Sequence, residues 1–186
     1  NLVAGSLAPA GVLEAVEGGW RLTGRWMFGS GCDHSPWFIV GARLTNPKPD
    51  EYMNYHVMVP LKDLVIEDTW FTLGMRGSGS KDLVVTNAFI PSHRAMPTYP
   101  TFLGISPHAK APTYRLSVYS GLPAMLSGSV LGMAEAGLKA FIEATAVRST
   151  PHGVAKAKNL IMQKRVAESA AEIAQARRLL EDMCDR

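Results

Sequence analysis

The chain has 186 residues, 47% hydrophobic and 19% charged, with a net charge of +3, a balance typical of a globular core and not of a disordered segment. Its lysines and arginines are scattered, with only short pairs such as Lys164-Arg165 and Arg177-Arg178, so no nucleic-acid partner is expected. Cys32 and Cys184 are too few and too far apart for a disulfide framework or a metal cluster, and free thiols fit the cytoplasm; no signal peptide opens the chain and no apolar run is expected to reach membrane-span length, so no membrane partner is expected either.

Residues 12–16 predict a short strand, followed by the turn signal Glu17-Gly18-Gly19. The return strand alternates, with Trp20, Leu22, Gly24, Trp26 and Phe28 on one face and Arg21, Thr23, Arg25 and Met27 on the other. That period of two marks a half-buried antiparallel strand. Residues 37–44 predict a more apolar strand, 45–52 a Pro-containing loop, and 55–59, 63–69 and 83–90 further strands. Between the last two, Gly74-Met75-Arg76-Gly77-Ser78-Gly79-Ser80 is too rich in glycine for a ladder interior and predicts a loop or bulge. Many short strands with frequent turns predict an antiparallel sandwich or barrel over residues 1–98.

Five prolines between 91 and 112 point to a linker, placed at 99–114. The period then changes: Leu116, Leu122, Met125, Leu126, Val130 and Met133 recur at helical spacing. Gly121, Gly128, Gly132 and Gly137 each weaken that helix by about 1 kcal/mol against Ala, which makes sense where something packs closely. Ser149-Thr150-Pro151-His152-Gly153 ends it. Residues 154–183 hold no Gly or Pro and predict an amphipathic helix with Ile161, Val166, Ala170, Ile173, Ala176 and Leu180 on its apolar face. Two such helices cannot cover each other's apolar faces, so further helices or subunits are expected. The chain opens without Met and stops inside a helical pattern, and a piece of a longer protein is expected.

No Walker loop, Rossmann glycine fingerprint, His-Glu-x-x-His or nucleophile elbow is present. His34, His56, His93, His108 and His152 lack metal-ligand spacing, so no metal site is expected. Phe28-Gly29-Ser30-Gly31 combines an aromatic ring, a hydroxyl and exposed backbone N–H groups at a strand end. A planar heteroaromatic cofactor needs that set, a ring to lie against and groups aimed at its polar edge. The same residues also suit a strand-ending turn with a core Phe.

The run from Gly19 to His34 (Gly-Trp-Arg-Leu-Thr-Gly-Arg-Trp-Met-Phe-Gly-Ser-Gly-Cys-Asp-His) resembles the middle β-domain of the acyl-CoA dehydrogenase superfamily. Ser6-Leu7-Ala8-Pro9-Ala10-Gly11, the run from Leu73 to Asp82, and Phe89-Ile90-Pro91 follow in the same order and spacing. Together they are most similar to the oxygenase components of two-component flavin-dependent monooxygenases, such as those acting on 4-hydroxyphenylacetate or a 3-hydroxy-seco-steroid. The resemblance implies an α+β architecture: a middle β-domain, then 115–186 as the first two helices of a C-terminal four-helix bundle, with the N-terminal helical domain missing. It implies hydroxylation of an aromatic substrate through a flavin C4a-hydroperoxide. It further implies reduced FMN or FAD delivered by a separate reductase, O₂, and a homotetramer.

The resemblance also implies roles. Ser30 would hydrogen-bond flavin N5, Phe28 would lie against the isoalloxazine, and Gly29 and Gly31 would flank them. Leu7, Ala8 and Pro9 would line the pyrimidine edge, where dehydrogenases carry Thr-Glu-Pro. Ser6 would reach a polar group of the substrate. His108 and Arg115 are candidates to activate a phenol, or else charges of a linker in water. Arg148 would bind a flavin phosphate of a neighbouring subunit, although the dehydrogenase Phe-Gly after it is replaced here by Ser149 to Gly153; a solvent-facing arginine suits the position as well. An acyl-CoA dehydrogenase is the first alternative, and the first helix runs Tyr119-Ser120-Gly121-Leu122-Pro123-Ala124 without the carboxylate that some members place there. A non-catalytic flavin-binding relative is the second. The piece alone, lacking the rest of the pocket, is expected to be inactive.

Overall fold

Among the described residues seven strands form one sheet: β1 (Val3–Val16), β2 (Gly19–Gly29), β3 (Trp37–Leu44), β4 (Asn54–Pro60), β5 (Val65–Glu67), β6 (Lys81–Pro91) and β7 (Ala95–Pro97), in the order β5-β6-β2-β1-β3-β4-β7. The computed structural model describes residues 2–105 and 111–185. β1 and β2 make the expected hairpin, with Val16 opposite Gly19 and Gly18 at φ 76°, a left-handed angle that glycine takes without strain. β1 is far longer than the short strand expected. The chain then passes the start of β1 and returns as β3, parallel to β1, with Val3 opposite Trp37. The sheet is therefore mixed, a feature that side-chain alternation does not encode, because it reports faces and not strand direction.

The expected alternation of β2 holds through Trp26. Leu22 and Trp26 are 0% and 1% exposed, in a core shared with Leu13, Phe38, Val57 and Leu83. Trp26 fixes the centre of this core. Its indole lies over Gly11 and Gly24, where any Cβ would collide with the ring, and its Nε1 donates to the Gly41 carbonyl at 2.7 Å. A buried Trp side chain of this kind combines a large apolar surface with a satisfied polar atom.

Part of the expected linker is ordered structure. β7 pairs with β4, Tyr55 opposite Pro97, and α1 (Thr98–Phe102) follows it. Pro97 lies on the outermost strand, where a missing N–H breaks no ladder.

The chain divides into two units, residues 1–115 and 116–186. The second holds α2 (Val118–Ala146) and α3 (Leu160–Asp185). The Ser117 hydroxyl caps α2 by accepting from the Tyr119 N–H at 3.2 Å. α3 starts later than the sequence predicts. Residues 154–159 instead form a bridge, with Ser149 opposite Ala155, and a 3-10 turn at Lys156–Lys158. The Asn159 carboxamide oxygen then accepts from the N–H groups of Ile161 and Met162 at 2.9 and 3.2 Å, a helix start that needs neither Gly nor Pro. Val166, Ile173 and Leu180 of the predicted face are half-buried, while Ile161 is exposed. Among the described residues neither helix buries a side chain fully. α2 is also long and apolar enough, by length and composition, to cross a membrane, which corrects the expectation that no run would be.

Candidate active site

The last residues of β2 leave the ladder. The register with β6 shifts between Trp26 and Gly29, and within that bulge Phe28 takes φ 62°. A bulge rotates the side chains that follow it, so Phe28 does not share the inner face with Trp26. Its ring is 61% exposed, which corrects both the alternation and the core-Phe alternative. The neighbour of that ring is Trp70, edge-on at 6.1 Å and 85°. Trp70 Nε1 donates to the Met75 carbonyl at 3.1 Å, which ties this aromatic pair to the glycine-rich loop before β6.

Ser30 follows the bulge, its N–H donating to the Phe28 carbonyl at 2.8 Å. Its hydroxyl is 2.8 Å from that of Ser80, which is 5% exposed. Ser80 is in turn 3.0 Å from the Ser78 hydroxyl, and Ser78 donates to the Met75 carbonyl at 2.9 Å. Gly29 is buried, with Leu83 where a side chain would go, whereas Gly31 at φ 77° faces open space.

Two further bonds join the loops. Cys32 Sγ lies 3.4 Å from the Gly79 carbonyl, and Lys81 pairs with Asp33 at 3.0 Å. Burial pushes the Cys32 thiol pKa up, so the thiolate that a nucleophile needs is disfavoured.

The segment at residues 7–10 bulges from β1, because the β1–β3 register shifts between Ser6 and Gly11. The carbonyls of Leu7 and Ala8 press against Gly41, the glycine whose own carbonyl binds Trp26. Any side chain at position 41 would meet them. The Leu7, Ala8 and Pro9 side chains are exposed, and Ser6 is half-buried in the ladder opposite Val40.

His56, 1% exposed, holds this bulge from behind. Its Nε2 lies 3.3 Å from the Leu7 carbonyl and its Nδ1 lies 3.1 Å from the Thr98 hydroxyl. A carbonyl only accepts, so Nε2 carries the proton and Nδ1 accepts from Thr98. The ring stacks on Phe102 at 5.0 Å and 9°. Burial holds the imidazole below its ordinary pKa of 6.5 and so favours the neutral form.

The expected residues thus fall into three groups. Phe28, Gly29, Ser30 and Gly31 share one strand end with the Gly74–Ser80 loop, while the Leu7 and Ala8 carbonyls meet the sheet at Gly41, Ser6 pairs opposite Val40, and Pro9 lies in the bulge after it. Arg115 is exposed at the end of the 3-10 turn Pro112–Arg115, and Arg148 is exposed in the second unit, after α2. His108 lies outside the described residues. Among the described residues no His, Cys, Asp or Glu cluster suits a metal. Sequence reasoning missed Trp70, Ser78, Ser80 and His56. The available signal was weak: one aromatic before a glycine-rich loop, and small hydroxyls within it.

Residues 124–186 match the family described as acyl-CoA dehydrogenase, C-terminal domain. The chain is 33% identical to the oxygenase component of the FADH(2)-dependent resorcinol hydroxylase of Rhizobium sp. (strain MTP-10005), covering 92% of this chain and 44% of that protein. It is 36% identical to the oxygenase component of p-hydroxyphenylacetate 3-hydroxylase of Acinetobacter baumannii, covering 95% of this chain and 43% of that protein. Among solved structures, the 3-HSA hydroxylase of Rhodococcus sp. RHA1 superposes with a TM-score of 0.82 at 28% identity, covering 98% of this chain and 47% of that one. The chain spans about half the length of these relatives. With its β-domain, its helical domain and its motifs in this order, the chain is similar to the oxygenase components of two-component flavin-dependent monooxygenases, and its residues 124–186 match the acyl-CoA dehydrogenase C-terminal domain.

Proposed function

We propose that this chain carries one wall of the flavin site in the oxygenase component of a two-component monooxygenase that hydroxylates an aromatic substrate. The observation that supports this most directly is the wall at the end of β2: an aromatic ring held 61% exposed at a positive φ, with a hydroxyl two residues on. Packing does not explain that ring, since it faces water beside Trp70. A flat isoalloxazine fits it, with Phe28 and Trp70 as apolar surface and Ser30 at the polar edge. Bound reduced flavin, with O₂, supplies the oxygen atom that is transferred.

The chain's own residues bind, orient and exclude water. Phe28 and Trp70 would keep water from one face of the ring system. Ser30 would hold N5, with the backbone at Gly29 and Gly31 close by. Leu7, Ala8 and Pro9 would line the pyrimidine edge, and Ser6 would meet a polar group of the substrate. Arg148 would reach a phosphate of a flavin bound by another subunit of a homotetramer, and His108 and Arg115 would assist the substrate phenol. Residues 115–186 would supply the first two helices of the bundle, where the exposed apolar face of α2 becomes a packing surface. A separate reductase would deliver the reduced FMN or FAD, in the cytoplasm, where Cys32 and Cys184 would stay reduced thiols.

The test mixes the intact protein with reduced flavin, O₂ and a set of phenols. A hydroxylated phenol supports the proposal. Flavin reduction by an acyl-CoA replaces it with the dehydrogenase reading, and neither reaction replaces it with a binding role. In the intact enzyme, Ser30→Ala should raise the ratio of H₂O₂ released to product formed about fivefold, the scale of one hydrogen bond. An unchanged ratio removes Ser30 from the site. The 186-residue chain alone should bind flavin more weakly than micromolar, and tighter binding measured by fluorescence quenching would contradict the picture of a partial pocket.

A further inference from the structure

The hydroxyls of Ser30, Ser80 and Ser78 form a line that ends on the Met75 carbonyl, with successive separations of 2.8, 3.0 and 2.9 Å. Each hydroxyl has one proton to give and two lone pairs to receive with. A carbonyl has no proton, so the last link requires Ser78 to donate to Met75. Ser78 then has no proton for Ser80, and Ser80 must donate to Ser78. Ser80 in turn has none for Ser30, and Ser30 must donate to Ser80. With every link made, the sense of the chain is unique. Ser80 is 5% exposed, so water does not readily replace either of its partners.

The consequence lies at the open end. The Ser30 hydroxyl has its proton committed inward and presents lone pairs outward. We infer that Ser78 and Ser80 are positioning residues that make Ser30 a hydrogen-bond acceptor toward its ligand. Resting on the flavin reading above, this gives the site a redox preference. N5 of a reduced flavin carries a hydrogen that Ser30 can accept. N5 of an oxidised flavin offers only a lone pair, and Ser30 meets it with another. The relay therefore favours the reduced flavin, the form that a separate reductase would deliver. The anchor of the line also receives the Trp70 indole N–H, so the same carbonyl sets the sense of Ser30 and holds part of the aromatic wall.

The test measures dissociation constants of the intact protein for reduced flavin under anaerobic conditions and for oxidised flavin, together with the midpoint potential of the bound flavin. Wild type should bind the reduced form more tightly. In Ser80→Ala and Ser78→Ala the proton of Ser30 is freed to point outward, so the ratio of oxidised to reduced dissociation constants should fall about fivefold. The midpoint potential should fall with it. Ser30→Ala should also lower the ratio, and adding Ser80→Ala to it should change nothing more. Ser78 is only partly buried, so its variant retains the test if Ser80→Ala disturbs folding, as judged by circular dichroism. A ratio unchanged in a folded Ser78→Ala or Ser80→Ala but altered in Ser30→Ala overturns the relay and leaves the flavin reading standing. Equal binding of both redox forms by wild type overturns the redox preference. No binding of either form overturns the flavin reading itself.

Discussion

The two units of the chain solve the burial problem differently. In residues 1–115 the side chains of Leu13, Leu22, Phe38, Val40 and Val57 are fully enclosed and Trp26 nearly so. In residues 116–186 no described helical side chain is enclosed, and Met125, Leu126, Val130 and Met133 of α2 are each more than 60% exposed. Sheet strands cover one another through ladders and a shared inner face, whereas two helices present more apolar surface than they can bury in each other. The first unit holds its own core, and the described helices of the second leave their apolar faces open.

Substituting the centre of each unit should show the contrast most strongly. Trp26→Ala removes a fully buried indole and its bond to Gly41, and should lower the unfolding free energy of the β unit by about 3–5 kcal/mol. Leu180→Ala in α3, half-buried, should cost about 1 kcal/mol or less. Urea unfolding followed by indole fluorescence and by helical circular dichroism separates the two. Equal losses would mean that the helices own a core of their own.

Glycines give a smaller contrast of opposite sign. Gly41→Ala would drive a methyl into the Leu7 and Ala8 carbonyls and should cost about 1–3 kcal/mol. Gly137 in α2 has open space around it, so Gly137→Ala should stabilise the isolated chain by about 0.5–1 kcal/mol, read as a rise in thermal midpoint. If the same change weakens assembly of the intact protein, the open space is where another helix packs.

The smallest effect is a pH dependence confined to the first unit. The folded His56 pKa lies below the unfolded 6.5, so the unfolded chain binds the proton first. Stability should be full above about pH 6.5 and should fall as the pH drops below it. His56→Gln should flatten that slope in denaturant titrations on either side of 6.5. An equally steep slope in the variant would assign the dependence to other groups.

Much of this contrast was legible in the residues themselves. The strand at 37–44 stands where alternation and composition put it, and so does the hairpin at Gly18. What was not legible involves partners distant in sequence. β7 lies in a proline-rich stretch and exists because β4 offers it an edge. The parallel pairing of β1 and β3 leaves no mark on side-chain periodicity. At the site, the ring-hydroxyl pair Phe28 and Ser30 could be named from local order, but Ser80 meets Ser30 across 50 positions, and no local pattern pairs two serines at that distance. The start of α3 was misplaced because Asn159 caps it from within a run that reads as helix throughout.

The bulge at Phe28 has an engineering consequence. A bulky residue at φ 62° is strained by roughly 1–2 kcal/mol, and glycine would relieve it. A screen for thermostability alone would therefore select Phe28→Gly early and report success. The variant would keep its core and melt at a higher temperature, and would have lost the ring that faces Trp70. On the flavin reading, the most stable protein and the most useful one have different sequences at this position, and a stability score would rank them in the wrong order.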